Sequence, residues 1–309
     1  MAGTARASTV AVTGASGLVG SALVPALTST GHRVLRLVRG AGGAPAAGEP
    51  IARWDPESGA LEASALAGVD ALVHLAGESV ASGRWTESKK RRIRSSRVDA
   101  TRRLAGALAR LERPPRVLVT ASAVGYYGDR GSELLREESA PGAGFLAEVC
   151  REWEAATEPA AHAGIRVVRL RIGMALSRRG GALATMLTPF RLGAGGPVGG
   201  GAQWVSWIAL DDLVRAIHHA LTTDTLVGPV NAVAPEPVTN RELARTLGRV
   251  LGRPALLPLP AVAARLLLGQ MADELLLASA RVEPARLRAT GLTFRHATLE
   301  DALRHELGR

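Results

Sequence analysis

A glycine-rich turn near the start of the chain constrains its fold more than any other feature. Gly14, Gly17 and Gly20 follow an apolar segment from Val10 to Val12 and open a segment of helical composition. In such a strand–turn–helix unit the first glycine permits a tight turn, the second lets a pyrophosphate approach, and the third lets helix and strand pack closely. The helix N-terminus adds unpaired N–H groups and a partial positive charge. The turn therefore predicts a dinucleotide site, with contacts from Gly14, Ser16, Gly17, Leu18 and Val19.

Further apolar segments alternate with helix-length segments through the first half of the chain. The first helix is predicted over Gly17 to Ser29, and Gly31 is placed to end it. This alternation is typical of a parallel sheet with helices on both faces. The sequence thus predicts an α/β fold, a Rossmann doubly wound parallel sheet. The later predicted strands are Val34 to Val38, Ala71 to Leu75, Val117 to Thr120 and Val167 to Leu170.

The regular alternation ends after Gly173. A glycine-rich stretch, Gly193 to Gly201, predicts a flexible or tight loop that either closes over a ligand or serves as an exposed connector. Further on, prolines precede two apolar helical segments, Val262 to Gly269 and Asp273 to Ala280. We therefore predict a cofactor-binding domain over residues 8–235, with a substrate-side insertion at 175–205, and a smaller, mainly helical substrate-side domain over 250–309.

The composition fits a cytoplasmic globular protein. The 309 residues are 47% hydrophobic, enough for a sizeable core, and no uninterrupted apolar stretch reaches the roughly 20 residues that span a bilayer. The first predicted strand begins too early for a signal peptide, so we expect none. The single cysteine, Cys150, excludes an internal disulfide, fits a reducing compartment, and is expected to be a small buried hydrophobe rather than a nucleophile.

The formal net charge of +10 suggests an anionic partner, and seven positive charges lie between Arg84 and Arg97. Aromatic residues make up only 3% of the chain and do not interleave with this run. The stacking platforms of a nucleic-acid site are therefore missing. We expect a solvated helix face; the alternative is that one or two of its side chains contact a phosphate. Neither a nucleic-acid nor a membrane partner is expected.

The second predicted strand indicates which dinucleotide is bound. In NAD-binding versions of this fold, an acidic residue about 20 residues after the glycines hydrogen-bonds the ribose 2′-hydroxyl. No acidic residue occurs between Gly14 and Gly48, whereas Arg39 stands at the C-terminal end of the second strand. An arginine there can pair with a 2′-phosphate through two charge-assisted hydrogen bonds. The sequence predicts NADP(H) as the cofactor, with Arg39 as a contact.

A set of short motifs extends from this region to the C-terminal segment. They are Leu75-Ala76-Gly77-Glu78, Arg84-Trp85-Thr86, Ser96-Arg97, the run Ser122 to Gly128, Trp153-Glu154, Arg171-Ile172-Gly173, the Gly193 to Gly201 loop, Trp207-Ile208, Asp211-Asp212, Asn231, Ala234-Pro235 and Leu251 to Pro254. With these motifs the chain resembles the epimerase-like branch of the extended and atypical short-chain dehydrogenase/reductases, whose C-terminal segment is a small uncharacterised domain. The resemblance covers nearly the whole chain.

The resemblance implies that the turn from Leu75 to Glu78 lies along the cofactor and that Arg97 reaches its phosphates. It also leads us to expect a Tyr-x-x-x-Lys pair, in which a nearby ammonium lowers the tyrosine pKa from about 10. This chain lacks the pair, because the register marked by Glu154 places Leu146 and Cys150 at its two positions.

Two further departures concern the catalytic hydroxyl and a histidine. Ser122 lies one position before the usual hydroxyl site, which falls on Ala123. Ala209 stands where the resemblance implies a histidine. A histidine-based mechanism at that position is therefore not expected.

Two functions follow from these observations. The first is an NADP(H)-dependent oxidoreductase or epimerase-like enzyme of a small-molecule substrate, with Ser122, Tyr126 and Tyr127 as catalytic candidates; the alternative is a non-catalytic NADP(H)-binding sensor. In the enzyme, one tyrosine donates or orients a proton and the other is structural, unless both only pack. A phenol without a lysine partner stays protonated near neutral pH, so it suits a general acid in carbonyl reduction.

Overall fold

The computed structural model describes residues 8–40 and 50–309. The strands of these residues are, in chain order, β1 (Thr9–Thr13), β2 (Arg33–Val38), β3 (Ile51–Arg53), β4 (Ala71–His74), β5 (Val117–Ala123), β6 (Leu134–Leu135), β7 (Arg166–Ile172), β8 (Met174–Leu176), β9 (Trp204–Val205), β10 (Trp207–Ala209), β11 (Gly228–Ala232), β12 (Val238–Thr239) and β13 (Arg281–Val282). The α-helices are α1 (Leu18–Ser29), α2 (Glu87–Ser95), α3 (Val98–Ala109), α4 (Phe145–Ala155), α5 (Glu158–His162), α6 (Gly181–Arg191), α7 (Leu210–Thr222), α8 (Asn240–Leu251), α9 (Ala261–Leu268), α10 (Ala285–Ala289) and α11 (Leu299–Leu307). Short 3₁₀ turns occur at Ala63–Leu66 and Val124–Tyr127, and a π-helical segment at Ala272–Leu277. None of the described helices is long and apolar enough to cross a membrane.

Seven strands form one sheet in the order β11-β7-β5-β4-β1-β2-β3, and every neighbouring pair is parallel. The order therefore runs outward from β1 in one direction to β3 and in the other direction to β11. The carboxyl ends of β1 and β4 lie where the order reverses, which is where such sheets bind ligands. This arrangement confirms the predicted Rossmann doubly wound parallel sheet.

Helices cover both faces of the sheet. On one face, Leu23 and Leu27 of α1 share a core cluster with Ile217 of α7. On the other face, Leu104 and Leu108 of α3 pack in a second cluster. All five side chains are at most 1% exposed, and each fully buried side chain of this size stabilises the fold by roughly 1.5–3 kcal/mol.

The chain beyond β7 mostly leaves the large sheet. Short strand pairs form between β8 and β10 and between β9 and β12, and β13 pairs with β6, which precedes β7. Helices α9, α10 and α11 make the C-terminal segment mainly helical. Leu287 of α10 lies in the same core cluster as Val230 of β11. Leu303 of α11 packs with Leu247 of α8 in another. The C-terminal segment thus shares its apolar core with the rest of the fold.

The stretch Gly193 to Gly201 is a tight loop bonded to the proline-containing segment after α8. The N–H of Leu257 donates to the carbonyl of Gly195 at 3.2 Å, and the N–H of Leu259 donates to the carbonyl of Pro197 at 2.9 Å. A Cβ at Gly196 would lie 2.1 Å from the carbonyl oxygen of Leu257. The glycines therefore allow two backbones to approach closely, and the loop is packed rather than an exposed connector.

Candidate functional site

The glycine turn connects β1 to α1 at the switch point of the sheet. Gly14 has φ +68°, and a Cβ there would lie 2.9 Å from the backbone nitrogen of Ala76. A Cβ at Gly20 would lie 2.2 Å from the carbonyl oxygen of Gly14. Larger residues at either position would push α1 away from β1 or close the gap to β4. The structure therefore gives a steric reason for the roles predicted for Gly14 and Gly20.

The N-terminus of α1 is open toward this crevice. Gly17 is its N-cap, no side chain caps it, and its first turn contains no acidic residue. The N–H groups of Leu18 and Val19 have no intrahelical acceptor, as in any first helical turn. Unsatisfied donors together with the positive end of the helix dipole make this position suitable for a pyrophosphate.

The opposite wall of the crevice is the turn after β4, and a buried histidine holds it. Thr13 Oγ1 accepts the N–H groups of Leu75 at 3.1 Å and Ala76 at 3.3 Å. Its own proton is then available to His74 Nδ1 at 2.7 Å, so His74 carries its proton on Nε2 and donates to Thr101 Oγ1 at 3.0 Å. Burial lowers the pKa of His74 to about 4. A neutral imidazole therefore holds this wall in place, and no motif in the sequence distinguishes His74 from the other histidines.

Arg97 lies under the same turn. Its Nη1 donates to the carbonyls of Glu78 at 2.9 Å and Ile93 at 3.3 Å, and its Cζ lies 5.2 Å from the centre of the Trp153 ring. A Cβ at Gly77 would lie 3.4 Å from that Cζ. No carboxylate of the described residues lies within ion-pair distance of this guanidinium. Arg97 therefore keeps a positive charge beside the crevice while it supports the turn.

Glu78 is satisfied by a different cation. Its Oε1 lies 2.7 Å from Lys89 Nζ and 3.8 Å from Arg92 Nε. The hydrogen bond from Lys89 is the main reason that the pKa of Glu78 is lowered. The carboxylate of Glu78 thus neutralises part of the positive charge of α2. Arg97, which follows α2, is the cation of this basic run that lies next to the crevice.

Arg39 follows the last residue of β2 at the carboxyl edge of the sheet. Its side chain is exposed and makes no hydrogen bond or ion pair with any residue in the described ranges. An arginine at this edge, two strands from β4, is accessible to the adenosine end of a dinucleotide lying across the crevice.

A buried ion pair lies behind the end of β5. Arg171 Nε and Nη2 donate to the two carboxylate oxygens of Glu154 at 2.8 and 2.9 Å. Ser122 Oγ donates to the same carboxylate at 2.8 Å and is only 3% exposed. The hydroxyl of Ser122 is therefore already engaged inside the protein.

Tyr127 belongs to the same network. Its hydroxyl oxygen accepts from Arg171 Nη1 at 2.9 Å and lies 2.7 Å from Asn231 Oδ1. The ring is fully buried, and burial raises the pKa of Tyr127 to about 12. These contacts give Tyr127 a structural position.

Tyr126 differs from its neighbour. It is only partly buried, and Arg171 Cζ lies 3.5 Å from the centre of its ring. Its hydroxyl forms no hydrogen bond with another residue of the described chain. Of the three sequence-derived catalytic candidates, Tyr126 is the one whose polar atom is available to a ligand.

Helix α4 packs against the 3₁₀ turn that carries the tyrosines. A Cβ at Gly125 would lie 3.4 Å from Cβ of Leu146 and 3.9 Å from Sγ of Cys150. Cys150 is 3% exposed, and burial raises the pKa of its thiol to about 12. The positions expected for a Tyr-x-x-x-Lys pair are thus apolar, and Cys150 is the predicted buried hydrophobe. Ala209, where a histidine was expected, is also fully buried.

A groove of about 440 Å³ separates the glycine-rich loop from the C-terminal segment, with Gln203, Trp204 and Ser279 in its lining. Arg281 Cζ lies 4.5 Å from the centre of the Trp204 ring. The Nε of Arg281 is buried and finds no hydrogen-bond partner among the described residues. In the sequence, nothing distinguishes Arg281 from the many other arginines.

The comparisons with known proteins agree with this geometry. Residues 10–232 match the model of the NAD dependent epimerase/dehydratase family, and residues 259–306 match a domain of unknown function, DUF1731. The chain belongs to the NAD dependent epimerase/dehydratase family. Within this family it is 45% identical over 294 residues to epimerase family protein Mb2239 of Mycobacterium bovis, which covers 95% of this chain and 96% of that protein.

Two solved structures of family members are similar over almost all of this chain. The crystal structure of human epimerase family protein SDR39U1 (isoform 2) with NADPH has a TM-score of 0.88 and 34% identity, covering 97% of this chain and 99% of that chain. The nucleoside-diphosphate sugar epimerase from Corynebacterium glutamicum has a TM-score of 0.80 and 42% identity. That match covers 98% of this chain but 58% of the other, so the present chain spans little more than half of that protein. These likenesses confirm the predicted resemblance to the epimerase-like proteins with a small C-terminal domain.

Proposed function

We propose that this protein is an NADP(H)-dependent reductase of a small carbonyl compound that carries an anionic group. The crevice between β1 and β4 carries the proposal: its helix N-terminus has no side-chain cap, and no carboxylate among residues 8–40 and 50–309 lies within ion-pair distance of Arg97 or Arg39. The NADPH in the crystal structure of human SDR39U1 supports the same cofactor. When bound, NADPH supplies the hydride.

Cofactor choice tests the first half of the proposal. NADPH and NADH are titrated into the wild type, Arg39→Ala and the control Arg33→Ala, which removes an exposed arginine from the opposite end of β2. A charge-assisted contact of roughly 1.5–3 kcal/mol implies that the wild type prefers NADPH by about 10- to 150-fold. Arg39→Ala should lose that preference and Arg33→Ala should keep it. Equal affinities of the wild type for both dinucleotides would refute the assignment.

Tyr126 is the proton donor in this proposal. Tyr126 is partly buried in the turn after β5 and its hydroxyl has no partner among the described residues, whereas the hydroxyls of Ser122 and Tyr127 are bonded within the buried network. General acid catalysis contributes roughly 10²- to 10⁴-fold, so Tyr126→Phe should lower kcat by at least about 10²-fold without changing NADPH affinity. NADPH consumption is followed over a panel of carbonyl compounds. If a substrate is found and Tyr126→Phe keeps full kcat, water or Ser122 must deliver the proton.

The anionic group of the substrate is assigned to Arg281. The buried Nε–H of Arg281 has no acceptor among the described residues, and an anionic group that accepts from it would satisfy this donor. Arg281→Gln should therefore raise KM for the substrate by about 10-fold or more and leave NADPH affinity unchanged. Arg288→Gln, an exposed arginine of α10, is the control.

The second candidate is a non-catalytic NADP(H) sensor, and the apolar contact of Leu146 and Cys150 with Gly125 favours it. A sensor needs no proton donor. It would bind NADPH with the Arg39-dependent preference but transfer no hydride to any member of the panel. Stereospecific loss of deuterium from labelled NADPH in the presence of a substrate would decide for the reductase.

A further inference from the structure

Two histidines and an aspartate meet where the last turn of α11 comes near the first turn of α7. Asp211 lies in the first turn of α7, His305 in the last turn of α11, and His296 in the loop before α11. One ligating atom from each residue lies within 4.8 Å of the others. Asp211 Oδ2 and His305 Nε2 are 3.0 Å apart, and the two imidazole rings stack with centres 4.2 Å apart.

His296 is held by bonds on both its ring and its backbone. Its Nδ1 lies 2.6 Å from Asp301 Oδ2, and because a carboxylate only accepts, Nδ1 carries the proton. Its backbone N–H donates to Asp212 Oδ2 at 2.9 Å, and Asp212 is 1% exposed. The remaining ring nitrogen, Nε2, is thus left with its lone pair. A carboxylate that orients a histidine in this way is the usual second partner of a metal-binding imidazole.

The donor set selects a class of ion. Two imidazole nitrogens with one carboxylate oxygen suit Zn²⁺ and its neighbours in the first transition row, whereas Mg²⁺ and Ca²⁺ prefer oxygen ligands only. The carboxylates of Asp211 and Asp301 also lie beside the two imidazoles, so their negative charge attracts a cation. His305 is 45% exposed, which leaves its ring room to turn from the stack onto a shared ion.

We propose that Asp211, His296 and His305 bind one divalent transition-metal ion of the Zn²⁺ class, with Asp301 orienting His296. The expected ligand distances are about 2.0–2.2 Å, and water completes the coordination on the exposed side. The ion joins the last turn of α11 to the first turn of α7. Its role is to fasten the C-terminal segment to the sheet domain, independently of the dinucleotide crevice.

The test uses full-length protein without a polyhistidine tag. Zn²⁺ is titrated in competition with a chromophoric chelator, and Co²⁺ is titrated with its absorption spectrum as a second readout. The wild type should bind one ion per chain. Asp211→Asn and His305→Gln should each weaken binding by more than about 10-fold, and Asp301→Asn by about 10- to 100-fold.

The control variant is His218→Gln. It breaks the other close histidine pair, in which His32 Nε2 and His218 Nε2 are 3.2 Å apart and no carboxylate of the described residues lies within ion-pair distance of either. This variant should bind Zn²⁺ like the wild type. Zn²⁺ should raise the Tm of the wild type and of His218→Gln but not that of His305→Gln, whose Tm in chelator shows that it is folded. One-to-one binding that survives in all three cluster variants, or that disappears in His218→Gln, would overturn the proposal.

Discussion

At the scale of single residues, His74 links the stability of the fold to the cofactor crevice. It is fully buried, both ring nitrogens are hydrogen-bonded, and it holds the turn from Leu75 to Glu78 through Thr13. Protonation of His74 would place a hydrogen on Nδ1, where it would face the hydroxyl hydrogen that Thr13 donates to the same atom. The neutral form is therefore the only one that satisfies this network.

The pH dependence of stability follows from that requirement. The unfolded chain protonates His74 near its ordinary pKa of 6.5, but the folded chain does so only near 4. Between these values the unfolded state binds more protons, so stability falls as pH falls from about 6.5 to 4, by roughly 3 kcal/mol in total. In urea denaturation across this range, His74→Gln should show a shallower slope than the wild type. His162→Gln, an exposed histidine in α5, should keep the wild-type slope, and an unchanged slope in His74→Gln would contradict the assignment.

The two adjacent tyrosines have different surroundings, which the sequence alone does not predict. Tyr126 and Tyr127 lie in one 3₁₀ turn, where successive side chains point about 120° apart. One therefore reaches Asn231 in the buried network while the other remains partly exposed. The sequence predicted that one of the pair is structural, but the buried partners that distinguish Tyr127 are Arg171 and Asn231, which lie 44 and 104 positions away from it.

At the scale of elements, the β1–α1 unit was predictable because its requirements are local. The three glycines, the apolar strand and the helix all lie within about 20 residues, and their spacing encodes the turn. The start of α4 was not predictable. Its first N–H groups, those of Phe145 and Leu146, donate to Glu274 at 3.1 and 2.7 Å, from the π-helical segment of the distant C-terminal region.

Among the glycines that lie in the described helices, Gly20 should tolerate replacement least. A Cβ there would lie 2.2 Å from the carbonyl oxygen of Gly14, so Gly20→Ala must move α1 or the turn. Overpacking of this kind costs about 1–3 kcal/mol, and the displaced turn should also weaken NADPH binding. Gly106→Ala in α3 is the matched control. Its Cβ would meet nothing closer than the flexible end of Arg110 at 3.5 Å, so it should stabilise the protein by about 0.5–1 kcal/mol.

Chemical denaturation and NADPH titration of the two variants separate these effects. Equal stabilities for Gly20→Ala and the wild type would mean that the close contact of α1 with the turn at Gly14 does not hold the helix in place. A destabilised Gly106→Ala would mean instead that alanine is generally tolerated poorly in these helices.

At the scale of the whole molecule, buried carboxylates join the C-terminal segment to the sheet domain. Glu137 Oε1 accepts the N–H groups of Asn231 in β11 and Arg286 in α10, both at 3.1 Å. Asp212 accepts those of Arg295 at 2.8 Å and His296 at 2.9 Å. The sequence predicted a mainly helical C-terminal segment from its prolines and apolar runs, but these contacts join residues 83 to 149 positions apart and leave no local pattern.

Because these bonds and the shared core cross between the two parts, the described chain should unfold as one cooperative unit. Calorimetry should give a single transition whose calorimetric and van't Hoff enthalpies agree. Asp212→Ala removes the buried carboxylate that accepts the backbone N–H groups of Arg295 and His296, which costs about 2–4 kcal/mol, and should lower the Tm of that single transition by roughly 3–6 °C. Asp224→Ala, a 94% exposed aspartate just beyond the same helix, should leave the Tm nearly unchanged. Two separate transitions in the wild type, or a second one appearing only in Asp212→Ala, would instead mean that the C-terminal segment unfolds on its own.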